Sequence, residues 1–199
     1  MRDFWEARYA TAEFVYGTSP NTFLAEKLLQ LPPGQILLPG EGEGRNAVFA
    51  AKHGWKVDAF DQSNNAASKA LGLARSEGVN IRYTVGPLEK ATFGHAVYDA
   101  AALIFVHLPS SIRERVHRRI VDALKPGGWL IMEAFHTSQL GRETGGPRSL
   151  ELLYDQRLLT NDFSELELSE MEERLEELDE GPFHRGEAAV VRMIGRKPK

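Results

Sequence analysis

The chain predicts an α/β fold, a parallel, doubly wound sheet with helices packed on both faces. Three observations carry this expectation. Gln35 to Asp61, QILLPGEGEGRNAVFAAKHGWKVDAFD, reads as strand, glycine-rich turn, helix, strand and terminal acid. Beyond it, apolar runs and helical patterns keep alternating as far as Phe135, as serial crossovers between parallel strands require. Tyr98 to Val106, YDAAALIFV, is too apolar to alternate, which suits a central strand buried on both faces.

The elements follow in order. Residues 3–31 predict two helices with a turn between them. Asp3 and Glu6 stand in capping-box positions for the first, on which Trp5 and Tyr9 share a face. Ser19-Pro20 supplies a cap and a first-turn proline for the second, which bears Phe23, Leu24, Leu28 and Leu31. Tyr16 and Gly17 sit in the intervening turn, where they are candidates to touch a ligand. Ile36–Leu38 form the first strand and Lys56–Phe60 the second. Gln62 and Ser63 lead into a helix ending at Gly78, and Ile81–Val85 is the third strand. The polar segment GPLEKATFGHA places Pro87, Leu88 and Glu89 where an adenine ring would lie. The central strand then runs into Phe105, His107, Leu108 and Pro109. Ser111 and Glu114 predict another capping box, KPGG a tight turn, and Trp129–Phe135 the fifth strand. Residues 136–160 are glycine- and proline-punctuated, a predicted cover over the sheet edge. Glu165–Glu180 fits a strand in one half and a helix in the other, and Ala188–Gly195 is a final strand.

Composition narrows the function. The 199 residues fit one domain. A formal net charge of −4 without a long basic run argues against a nucleic-acid backbone as partner. With no cysteine there is no disulfide, thiolate metal ligand or cysteine nucleophile. The N-terminus lacks the apolar core of a secretion signal and no apolar stretch is long enough for a bilayer, so a soluble cytoplasmic protein without membrane partners is expected. Nothing in the sequence specifies an oligomeric state.

The loop itself selects among ligands. A dinucleotide turn places glycines at its first, third and sixth positions. Counted from Gly40, the third is Gly42 but the sixth is Arg45, and the intervening residues are Glu41 and Glu43. Two carboxylates beside a pyrophosphate repel it by about 1 kcal/mol per pair even in water, whereas a cation is welcome. S-adenosylmethionine offers a ribose to Asp61, an adenine, a sulfonium and an ammonium, and no phosphate. Strand ends in such sheets flank the ligand, which adds the loops at Gly40–Gly44, Asp61–Ser63, Gly86–Glu89 and Phe105–Pro109. A nicotinamide-dependent oxidoreductase and a non-catalytic cofactor sensor remain the alternatives.

At this point the sequence resembles the class I S-adenosylmethionine-dependent methyltransferases, and among them the small bacterial enzymes grouped with tellurite-resistance and thiopurine methyltransferases. The resemblance rests on FWEARY, YGTSPNTFL, LLPGEGEGRNAVFAA, VDAFDQS, IFVHLP, LKPGGWLIMEAF, TGGPRSLELLYD and LDEGPFHRGEAAVVRMIGRKP. It implies a Rossmann-like sheet of seven mostly parallel strands, the last antiparallel and inserted between the fifth and sixth. It further implies a single methyltransferase domain, with residues 1–31 and 136–160 as covers, acting on a small-molecule acceptor. The cofactor residues it implies are Gly40, Glu41 and Gly42 for the methionine part, Asp61 for the ribose, Gln62 beside it and Leu88 at the adenine; Gly44, Ser63 and Phe105 join them from the strand-end geometry, and Tyr16 from its place in the N-terminal turn. Many class I enzymes carry an aspartate where this chain has Pro39, and Glu41 stands in as the acid. No Asp/Asn-Pro-Pro-Tyr motif follows the fourth strand, which disfavours methylation of DNA-base or glutamine amino groups. His107, ending the central strand, is the candidate general base for a neutral acceptor. His136 and His184, with Arg185, are candidates to meet an acidic one, and the three histidines do not make a metal site.

Overall fold

The computed structural model describes residues 2–199. Seven strands form one sheet: β1 (Gln35–Pro39), β2 (Lys56–Asp61), β3 (Arg82–Val85), β4 (Tyr98–Ile104), β5 (Leu124–Phe135), β6 (Glu167–Asp179) and β7 (Arg185–Arg196). Their spatial order is β3-β2-β1-β4-β5-β7-β6. β1 to β5 pair in parallel, and β7 enters antiparallel between β5 and β6. The chain reverses direction across the sheet between β1 and β4, and the strand C-termini there open the crevice in which such sheets hold ligands.

Side-chain alternation along the strands builds a core on each face. Ile36, Leu38, Ala100, Ala102 and Ile131 pack with Phe23, Leu24, Leu28, Ala47 and Val57 on one side. Leu37, Ala101, Leu103, Leu130 and Met132 pack with Val116, Ile120 and Phe163 on the other. The period of two sends consecutive residues to opposite faces, so an all-apolar strand fills both.

Helices α1 (Arg2–Arg8), α2 (Thr22–Leu28), α3 (Arg45–Lys52), α4 (Asn64–Ser76), α5 (Ser110–Ala123) and α6 (Gln156–Asp162) cover the sheet. Their caps differ from those expected. Asn21, not Ser19, caps α2, its side chain accepting from Leu24 N–H. Glu6 caps no turn of its own helix and instead accepts from Asn64 N–H at the start of α4. The start of α5 is served by Glu151, whose carboxylate accepts from both the backbone and the hydroxyl of Ser110. At α4 and α5 a carboxylate brought by tertiary contact satisfies the free N–H groups, a partner that a local four-residue pattern does not contain.

Three further expectations change. The N-terminal helices are not one cover: α2 belongs to the main core, whereas Tyr9 and Val15 make a small separate cluster with Ala66, flanked by Trp5 and Tyr16. KPGG does not stand apart as a turn, because β5 starts at Leu124 and runs through it. Residues 167–179 form one long strand rather than a helix. Pairing with β7 along its whole length outweighs the helical spacing of Met171, Leu175 and Leu178.

Candidate cofactor and acceptor site

The glycine loop leaves β1 at the switch point and turns into α3. Gly40, Gly42 and Gly44 all have positive φ. The space they leave is taken by the protein itself. A Cβ on Gly40 would lie 2.8 Å from Val106, one on Gly42 2.9 Å from the Tyr9 hydroxyl, and one on Gly44 2.6 Å from Ala70. The glycines therefore let β4, the N-terminal segment and α4 close on the loop. Gly44, expected among the ligand contacts, is the residue where α3 meets α4.

Asp61 ends β2 beneath this loop and is 8% exposed. One carboxylate oxygen accepts from Gly42 N–H at 3.2 Å and the other from Ser63 N–H at 2.9 Å. A carboxylate held in place by backbone N–H groups at a strand end is suited to accept from ribose hydroxyls. Burial raises its pKa against those backbone hydrogen bonds. Ser63 is committed to its own helix, its hydroxyl accepting from Ala66 N–H at the start of α4. Gln62 is half-buried beside it. Leu88 lies in a short helical turn (Leu88–Lys90) packed on the core that contains Phe60, Ala91 and Phe93, and Gly86 N–H bonds Asp61 carbonyl at 2.8 Å. An apolar wall beside the ribose acid results.

The two loop glutamates divide their work. Glu43 is neutralised by Lys69 at 2.6 Å and accepts from Val15 and Tyr16 N–H, so it anchors the N-terminal segment rather than facing a ligand. Glu41 accepts from Ala47 N–H at 2.7 Å in the first turn of α3. Burial, opposed by that hydrogen bond and by Arg45, pushes its carboxyl up to about 8. A carboxyl raised in the folded protein favours folding most below its ordinary value, and that contribution is lost as pH rises through about 8. Wild-type protein is therefore expected to lose stability relative to Glu41→Gln as pH rises from about 4.5 to about 8, by about 1.4 kcal/mol for each pKa unit of the shift. Urea unfolding of both proteins across this interval measures the difference, and parallel pH curves would place the carboxyl in water.

The donor set suits S-adenosylmethionine. Asp61 matches a ribose, Glu41 is a buried carboxyl that an ammonium would ionise, and Lys69 and Arg45 are paired with Glu43 and Glu180.

Next to the loop, Phe105 leaves β4 with a φ of 53°, a left-handed conformation rare for a bulky residue and common where a site dictates the backbone. Its ring packs on Phe135 and His184, each at 4.6 Å. Tyr16 does not reach Asp61; it lies over His184 at 4.5 Å, its carbonyl held by Arg45. His107 is close by, but both ring nitrogens are engaged. Nδ1–H donates to Leu152 carbonyl at 2.5 Å and Nε2 accepts from Phe135 N–H at 3.3 Å, while burial lowers its pKa to about 4. That is a neutral histidine fastening the cover to β5, a poor arrangement for a base. His136 bonds Ser138 and faces Glu173 on the rim, and Arg185 pairs with Asp179 on the surface. Among the described residues no histidine and acid cluster could hold a metal.

A buried polar network that the sequence reading did not identify ties these parts together. Asn21 donates to Glu133 at 2.6 Å and to Glu180 at 2.9 Å. Glu133 receives Arg192 from the neighbouring strand, and Glu180 receives Arg45 at 2.9 Å and His184 at 3.2 Å. The signal was present: one acid inside WLIMEAF and one base inside AVVRMIG, each alone in an apolar run. An open groove of about 780 Å³ beside α6, lined by His136, Asp155, Arg157 and Glu173 among others, includes no residue of the loops around the switch point.

Residues 36–128 match the family profile described as "Methyltransferase domain". Methyltransferase str2 of Strobilurus tenacellus is 33% identical over 117 residues, covering 56% of this chain and 40% of that protein. A 2-heptyl-1-hydroxyquinolin-4(1H)-one methyltransferase of Mycobacteroides abscessus is 28% identical over 120 residues, covering 57% and 52%. The chain thus spans about half the length, or less, of the curated relatives it matches. Among solved structures, TehB of Haemophilus influenzae superposes with a TM-score of 0.74 at 18% identity, over 98% of this chain and 66% of that one. The matched segment runs from β1 into the first residues of β5 and carries the glycine loop, Asp61 and the end of β4. Taken with the sheet order, it makes residues 36–128 similar to the methyltransferase-domain family and supports a class I S-adenosylmethionine-dependent methyltransferase.

Proposed function

We propose that the whole chain acts as one methyltransferase domain on a small-molecule acceptor, by in-line transfer of the methyl group. The observation that carries this reading is Asp61, buried under the glycine loop at the end of β2 with its carboxylate oriented by the N–H groups of Gly42 and Ser63. When bound, S-adenosylmethionine supplies an electrophilic methyl on a sulfonium. The residues of this chain do the rest. Asp61 holds the ribose hydroxyls, Gln62 lies beside it, and Leu88 with Phe60 supports the adenine. Glu41 ionises against the ammonium. Gly40 and Gly42 let the loop backbone approach, with Val106 and Tyr9 packed behind them. Tyr9, Val15 and Tyr16 close over the loop and keep water away, so that nucleophile and methyl stay in line.

Acceptor size is supported by two facts. The strand-end crevice is closed by aromatic side chains, and one relative methylates a quinolone, as its name states. No helix among the described residues is long and apolar enough to cross a membrane. The test is titration calorimetry with S-adenosylmethionine and S-adenosylhomocysteine: both are expected to bind in the micromolar range, and absence of heat with millimolar ligand would overturn the assignment.

A further inference from the structure

The last hairpin brings a histidine–carboxylate pair to the crevice. His184 is 6% exposed and presents Nδ1–H to Glu180 at 3.2 Å. Glu180 is itself fixed by Arg45 and Asn21. This fixes the tautomer: Nδ1 carries the proton and Nε2 the lone pair. Among the described residues Nε2 makes no hydrogen bond, whereas both nitrogens of His107 are occupied. Tyr16, Phe105 and Phe135 surround the imidazole at ring distances of 4.5, 4.6 and 5.1 Å. This group adjoins the glycine loop, because Val106, next to Phe105, packs on Gly40, and Arg45 belongs to the loop helix.

We propose that His184, oriented by Glu180, is the general base of the reaction, and that the acceptor is a neutral aromatic hydroxyl compound rather than a soft anion. The inference rests on the methyltransferase reading and deepens it. A soft anion needs no base, and a Glu-anchored imidazole with a free Nε2 is wasted on one; a neutral hydroxyl requires it. The flanking rings favour a flat acceptor, by offset or edge-on contact. In the step, His184 Nε2 takes the hydroxyl proton, and the oxygen lone pair forms the new O–CH3 bond. The S–CH3 bond breaks with its electron pair left on sulfur, cancelling the sulfonium charge. The imidazolium, facing the Glu180 carboxylate, then releases its proton to solvent.

The charged and titratable groups facing His184 are Glu180 on the hairpin, Arg45 on α3, Arg8 on α1, Tyr16 in the turn and His107 after β4. Burial holds its pKa below the ordinary imidazole value, with Glu180 opposing and Arg45 and Arg8 reinforcing that fall. The base is therefore unprotonated at neutral pH.

The experiment uses the full chain with S-adenosylmethionine and two probes of one shape, 2-naphthol and 2-naphthalenethiol. His184→Asn keeps an N–H for Glu180 but has no basic nitrogen. It is expected to lower naphthol turnover at least about 100-fold, and the naphthol-to-thiol turnover ratio at least about 30-fold. Glu180→Gln, which removes the opposing charge, is expected to move the acid limb of the kcat/KM profile for naphthol to lower pH, a shift that a merely structural role would not cause. An equal loss for both probes overturns the proposal. So does wild-type protein that binds S-adenosylhomocysteine by calorimetry yet leaves naphthol unmethylated. Failure to bind S-adenosylhomocysteine overturns the methyltransferase reading instead, so the two outcomes are distinguishable.

Discussion

Arg192→Met is expected to lower the unfolding free energy by about 3–5 kcal/mol. Arg192 on β7 stands directly opposite Glu133 on β5 in the antiparallel register, and its guanidinium meets that carboxylate. Glu133 is fully buried and Arg192 is 7% exposed. Burial alone pushes the Glu133 carboxyl up, and Arg192 and Asn21 counter it. Removing the cation strands a desolvated acid in the sheet, which costs more than the ion pair was worth. Replacing both residues by methionine, Glu133→Met with Arg192→Met, is expected to recover at least half of the loss, since the uncompensated charge goes with it. Urea unfolding followed by tryptophan fluorescence measures all three proteins. A loss below about 1 kcal/mol in the single variant would mean that water reaches Glu133.

The second large effect is on ligand affinity. Asp61→Ala is expected to weaken S-adenosylhomocysteine binding about 10- to 150-fold, equivalent to about 1.5–3 kcal/mol for the loss of charge-assisted hydrogen bonds. The same carboxylate also accepts from Gly42 and Ser63 N–H, so the variant will unfold somewhat earlier. Calorimetry well below its midpoint separates the two effects. Affinity within threefold of wild type would take Asp61 out of the site.

The electrostatic argument from the loop to a cationic ligand assumed two free carboxylates, and tertiary contacts change both: burial pushes the Glu41 carboxyl up to about 8 and Lys69 pairs with Glu43. Lys69 lies on α4, a helix away in sequence, and a short-range reading has no means of bringing it back to the loop. His107 illustrates the same limit. Its place at the end of β4 was legible, yet its two hydrogen bonds come from Leu152 and from Phe135, neither of them local. The strand-or-helix ambiguity over 165–180 had a related cause, because only the presence of β7 alongside decides it.

What the sequence determined by itself was whatever depends on neighbours close along the chain. The strands announce themselves by apolar runs, the β1 loop by glycines where the backbone must take positive φ, and the ribose acid by its position ending β2. Tertiary structure alone decided which polar groups are left to act. Glu43, Ser63 and His107 are consumed by contacts, whereas His184 is anchored through one nitrogen and among the described residues makes no hydrogen bond through the other. A buried side chain's chemistry is set by its hydrogen-bond partners and its desolvation, and the partners that occupy Glu43 and His107 come from segments 26 to 45 residues away.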